Sequence, residues 1–195
     1  EIFNSYNIYN VNNPLARINI ASGYASHAEG LSTTASGSIS HAEGYSTTAS
    51  GDHSHTEGAG TTASGNWSHS EGYSTTASED YSHAEGKETT ASGISSHAEG
   101  EKTTASGNSS HAEGNNTTAS GFSSHAGGYN TIAYNDNMIA IGSYNIEGRK
   151  SDNDGKLFVI GNGYRSSGTD IRSDAFVVKN NGDCNIQNDL LLNNV

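Results

Sequence analysis

Large apolar side chains are almost absent from the middle of this chain. Between Tyr24 and Tyr129 only Leu31, Ile39, Ile94 and Phe122 belong to the Leu, Ile, Val and Phe set. Small residues recur in their place. Ala21, Ala28, Ala35, Ala42 and Ala49 step by seven, with Thr56 and Ser70 as conservative breaks further on. Gly23, Gly30, Gly37, Gly44, Gly51, Gly58, Gly65 and Gly72 keep the same step, broken at Glu79. A heptad coiled coil needs large apolar residues at two of its seven positions, so this period is not helical. In a strand, side chains alternate between faces. Ser26, Ala28 and Gly30 then point one way and His27 and Glu29 the other. Thr33, Ala35 and Gly37 likewise share a face, with Thr34 and Ser36 opposite. One face of each strand is minute, so two strands can pack closely back to back. Each seven-residue half reads as a strand plus a turn. Two halves make one coil of a flattened parallel β-solenoid, whose main chain pairs from coil to coil.

The coil length is fixed by histidine. His27, His41, His55, His69, His83, His97, His111 and His125 are spaced by 14 within the consensus SHAEGxxTTASGxx. Glu29, Glu43, Glu57, Glu71, Glu85, Glu99 and Glu113 follow two residues after the first seven, and Gly127 takes the Glu place at the eighth. The ninth His position is Ile139, inside MIAIG. Register held without insertion over such a length excludes disordered low-complexity sequence. Glu79 sits where the half-repeat has Gly, which is expected to serve positive φ. An altered turn within an unbroken roll is expected there.

The chain divides into a lead-in (1–17), the repeats (18–144) and a C-terminal β module or stem (145–195). The module carries two apolar runs and a further one at 190–192, and Asn181-Gly182 is a hairpin-turn signal. It holds too little apolar area to fold alone.

Composition narrows the function. Lys and Arg number 9 against 21 Asp and Glu, a net charge of -12, which argues against nucleic acid and anionic membrane surfaces. No apolar run is long enough to insert in a membrane. Only 28 of 195 residues are Leu, Ile, Val or Phe, too few for a conventional core, so order has to come from the repeat. The first ten residues have neither the basic flank nor the apolar core of a signal peptide. The single cysteine, Cys184, excludes an intrachain disulfide and a cysteine metal cluster.

Periodic His and Glu argue for a structural ladder, since catalysis needs one asymmetric constellation. No enzyme activity and no cofactor are expected; ion binding along the ladder is a minor reading. His53-Ser54-His55 is a weak metal candidate. Asp152, Asp154 and Gly155 lack the full ligand spacing of a calcium loop. Tyr45, Trp67, Tyr73, Tyr81 and Tyr129 are expected in turns, where exposed rings can contact sugar or protein. The outward Thr34/Ser36, Thr48/Ser50 and Thr62/Ser64 pairs leave an ice- or ligand-binding solenoid as the alternative reading.

The x-A-x-G half-repeat and the IAIG at 139–142 resemble the YadA-like head of trimeric autotransporter adhesins, over roughly 20–144. The SHAEG variant also resembles repeats of phage and prophage tail-fibre appendages. There the repeats lead into segments similar to LFVIGNG (157–163) and AFVVKNNG (175–182). The resemblance implies an all-β, homotrimeric, left-handed parallel β-roll followed by a small β module. It also implies an extracellular fibre segment on a virion tail or bacterial surface, serving as rigid spacer and host-receptor-binding head. The His27-to-His125 and Glu29-to-Glu113 ladders, with Ile139 and Ile141 in the last coil, would face the trimer axis, and Ile18 and Ile20 would cap the other end. Mutual pairing would then raise the His pKa values and lower those of Glu.

Overall fold

A computed structural model describes residues 18–146, 148 and 154–187. The expectations for 1–17, Asp152 and 190–192 fall outside the described residues. Each coil contributes a broad strand, such as His41–Tyr45, and a two-residue narrow strand, such as Thr48–Ala49. The nine narrow strands form one parallel sheet and the broad strands another. Register is like on like: His27 pairs with His41, His69 with His83 and His125 with Ile139. The result is the parallel β-solenoid with 14-residue coils that the repeat predicts. Among the described residues no helix is long and apolar enough to cross a membrane.

The core is the minute face read from the sequence. Ala35, Ala49, Ala84, Ala98 and Ala112 have no exposure, and neither do Thr33, Thr47, Thr61 and Thr75. Ser40, Ser54 and Ser68 each donate Oγ to the carbonyl three residues back, at 2.6–2.7 Å. The hydroxyls thereby close the turns from inside.

The glycines fall into two columns, both crowded by a carbonyl of the next coil but only one of them at positive φ. Gly30, Gly44 and their equivalents have φ near +100° (111° and 106°) and are exposed, so they do not continue the inward alternation. Gly23, Gly37 and Gly51 lie outside the left-handed region. A Cβ on Gly51 would stand 1.9 Å from the carbonyl oxygen of Gly65 in the next coil. Close approach, not positive φ, therefore favours glycine in the Glu79 column, contrary to the expectation. The left-handed turn residues are others, including Ile39 (56°) and Trp67 (54°). At Glu79 the roll continues, with His83 in register with His69. The auxiliary bond seen from Gly51 N to Ala63 O at 3.3 Å has no counterpart at Gly65 or Glu79 among the described residues.

Turns are also tied coil to coil by side chains. Asp52 Oδ1 accepts from Ser38 N (2.8 Å), Asn66 Oδ1 from Asp52 N (3.0 Å) and Asp80 Oδ1 from Asn66 N (2.8 Å). Asparagines close the narrow sheet at both ends. Asn19 accepts from Thr33 N at 3.1 Å, and Asn145 takes the N–H and C=O of Ile132 at 2.7 and 2.9 Å. Asn19, nearly buried, is thus the N-terminal cap; Ile20 pairs with Thr34 in the narrow sheet and is 40% exposed.

The C-terminal segment extends the broad sheet. Lys156–Asn162 pairs in parallel with Ile139–Ser143, then antiparallel with Asp174–Lys179, which forms a hairpin with Cys184–Ile186. Gly182 (φ 88°) lies in that hairpin turn. At the end of the core Met138 takes the place that Ser124 holds one coil earlier, and Val159 and Val177 continue the alanine column beyond Ala140.

Two glycine substitutions separate the two constraints. Gly51→Ala should cost about 3 kcal/mol through the main-chain clash. Gly60→Ser should stay within about 0.5 kcal/mol, because Ser46 and Ser74 already hold that conformation at 57° and 53°. Denaturant unfolding of both variants checks this.

Candidate functional site: the histidine–glutamate face

Because the coils stack in register, the His27-type and Glu29-type residues form two columns on the outer face of the broad sheet. The imidazoles from His41 to His111 lie parallel, with centroids 4.7–4.9 Å apart and planes within 9°. The end rings, His27 and His125, turn edge-on. Five of the glutamates reach the histidine of the next coil. Nε2 to carboxylate distances are 3.6 Å for His55–Glu43, 3.9 Å for His83–Glu71, 3.3 Å for His97–Glu85 and His111–Glu99, and 3.2 Å for His125–Glu113. At the N-terminal end His27 meets Glu29 of its own coil at 3.4 Å. Glu43, Glu57, Glu71 and Glu85, with the glycines next to them in sequence, line an open groove of about 590 Å³. The positive-φ glycine puts no side chain beside the carboxylate, and this leaves the groove.

At the histidines the electrostatics differ from the mutual pairing expected, while Glu99 shifts in the expected direction. The pKa values of His69, His83 and His111 lie below the ordinary 6.5. Burial is the main cause and repulsion from neighbouring imidazoles the next; the carboxylates only partly offset these. Ring stacking itself removes water and sets like charges one coil apart. At Glu99 burial opposes ionisation, but the Glu85 hydrogen bond, His97 and His111 hold the carboxyl below its ordinary value.

Ile139 and Ile141 continue the two columns beyond His125 and Gly127. The apolar continuation past Ile141 was not anticipated from the sequence. Phe158 pairs with Ile139 and Ile160 with Ile141, then Val178 and Phe176 oppose them, and Ile186 opposes Phe176. Residues directly opposite share a face, so the polar ladder runs into an apolar patch. Ile139, Ile160 and Ile186 are 43%, 36% and 44% exposed within it. Setting LFVIG beneath MIAIG would have revealed this continuation.

The other candidates separate. Tyr45, Tyr73 and Tyr129 end broad strands rather than sitting in turns. Trp67 and Tyr81 do occupy turns, where Trp67 stacks between His53 (5.4 Å) and Tyr81 (5.2 Å). All five aromatics are about half exposed. His53 and His55 belong to different ring stacks, since His55 lies between His41 and His69. Asp154 accepts from Asn135 Nδ2 at 2.8 Å and from the Tyr134 hydroxyl. Thr34, Thr48 and Thr62 stand in register on the narrow sheet.

The family model of the YadA head domain repeat matches residues 42–68, 84–110, 98–124 and 112–134, all within the coils. No curated protein matches the chain.

The lowered His values set the sign of the pH response. The unfolded chain takes up protons first, so stability is full above 6.5 and falls as pH drops through that value. The lowered Glu99 contributes stability above 4.5 that is lost as pH falls through its folded value. Thermal melts should be flat from about pH 9 to 7 and decline steadily toward about pH 4. A decline on the alkaline side would contradict this assignment.

Proposed function

We propose that the chain is a non-enzymatic, trimeric fibre or head segment of the adhesin type. In it, three solenoids lie side by side and turn their His–Glu faces toward a common axis. The observation that carries this reading is the apolar end of that face. Ile139, Ile160 and Ile186 are exposed in one chain, beside half-buried Ile141, Phe158 and Phe176. A contiguous apolar patch of this kind is stabilised by burial against another surface. Its continuity with the ladder extends the same contact along the coils, and the YadA head repeat match supports threefold assembly. Imidazoles and carboxylates repeated in every coil suit a supporting surface better than a catalytic centre.

Each coil contacts only its neighbours, and nine coils at about 4.8 Å each give a rod of roughly 40 Å. Such a rod acts as a spacer, and the roll hands over to a stem at Lys156–Asn162. Trp67, Tyr81, Tyr45, Tyr73 and Tyr129 supply contact points for a glycan or protein of a host or bacterial cell surface. Its place is extracellular, on a bacterial surface or a virion tail.

Light scattering at micromolar concentration should give a trimer. Ile160→Arg should yield a folded monomer, while Thr76→Arg on the narrow sheet should remain trimeric. A monomeric parent chain, or a trimeric Ile160→Arg variant, would overturn the reading.

A further inference from the structure

We propose that the His–Glu face binds divalent first-row metal ions of the zinc class. Each ion is held by one imidazole Nε2 and by the two glutamates that flank it along the face. Four such groups are Glu43–His55–Glu57, Glu57–His69–Glu71, Glu71–His83–Glu85 and Glu85–His97–Glu99, with the donor atoms of each within 4.8 Å of one another. A tetrahedral ion with bonds of about 2.0 Å needs donors about 3.3 Å apart. The Nε2–carboxylate distances of 3.3 to 3.9 Å lie at or just above that edge.

An independent observation points to a ligand. Nε2 of His55, His69 and His83 is sealed from solvent and has no hydrogen-bond partner. A buried polar atom left this way is costly unless something satisfies it. The glutamate column also needs countercharge, for its carboxylates repeat at about 4.8 Å. The ion pairs of Lys87, Lys156 and Arg165 go to acids outside the ladder. An imidazole donor in each group favours zinc-class ions over calcium or magnesium, which take oxygen ligands. Water would complete the four ligands from the glutamate side, where the groove lies.

Sharing of glutamates sets the stoichiometry. Glu57 serves both the His55 and His69 groups, Glu71 the next pair and Glu85 the last. With each shared glutamate held by one ion at a time, adjacent groups exclude each other and the four hold at most two ions. Each donor set comes from one chain, so binding does not require the trimer.

The test uses the full chain, stripped with chelator, equilibrated with Zn²⁺ and gel-filtered before metal analysis. The parent should retain zinc and melt several degrees higher than the stripped chain. Replacing His55, His69, His83 and His97 together by Gln should lower the retained count by about two per chain. His53→Gln should leave it unchanged. No retained zinc, or a folded fourfold variant with the parental count, overturns the proposal. Should the variant not fold, NMR of the parent decides: zinc must shift the ladder imidazole signals and spare His53, and the reverse sinks the idea.

Discussion

In a parallel in-register solenoid every residue meets its own equivalent about 4.8 Å away in the coils above and below. That spacing governs each column of this protein. Where the carbonyl of the next coil comes within 1.9 Å of a Cβ position, only the smallest residue fits easily, as at Gly51. Where two sheets must pack back to back, alanine and threonine fill the narrow gap, and Ala49 and Thr47 are wholly buried. Where the equivalents carry polar groups, the spacing makes ladders. Asp52 and Asn66 pass hydrogen bonds between turns, and the imidazoles stack ring on ring.

The same spacing turns a chemical pattern into an electrostatic problem. Like groups stacked at that separation repel when charged, and the stack excludes the water that would screen them. His69, His83 and His111 answer by favouring the neutral form, so these three cannot serve as a fixed countercharge of the glutamates. Carboxylates that stay ionised must find positive charge elsewhere. The face is therefore rigid in its backbone and unfinished in its charge. Beyond His125 the pattern changes, and apolar Ile139, Phe158 and Phe176 take over the same face.

Much of this was legible in the sequence, because period and residue size specify a solenoid without any large core residue. The 14-residue coil, the Ala and Thr core and the shared His–Glu face all come from alternation. The failures of placement have a common physical cause: backbone geometry within the turns. Alternation stops at Gly44 because its φ is +106°, and no count of small residues distinguishes that glycine from Gly51. Ile39 and Trp67 adopt left-handed turns without a glycine to announce them. Tyr45 and Tyr73 end strands because the strand runs one residue beyond that glycine. The His pKa direction departs from the pairing expectation for a separate reason: desolvation by stacked rings outweighs a carboxylate 3.9 Å away, as at His83.

If register governs the molecule, whole coils are interchangeable and half coils are not. Deleting residues 84–97 removes one period and brings His83 onto the next coil's equivalents. Deleting only 84–90 would set broad strands against narrow ones. Circular dichroism melts of the two deletions test the claim most directly. The 14-residue deletion should keep the β signal and a cooperative melt within roughly ten degrees of the parent, while the seven-residue deletion should lose both. Equal stability of the two deletions, or collapse of the longer one alone, would contradict the primacy of register.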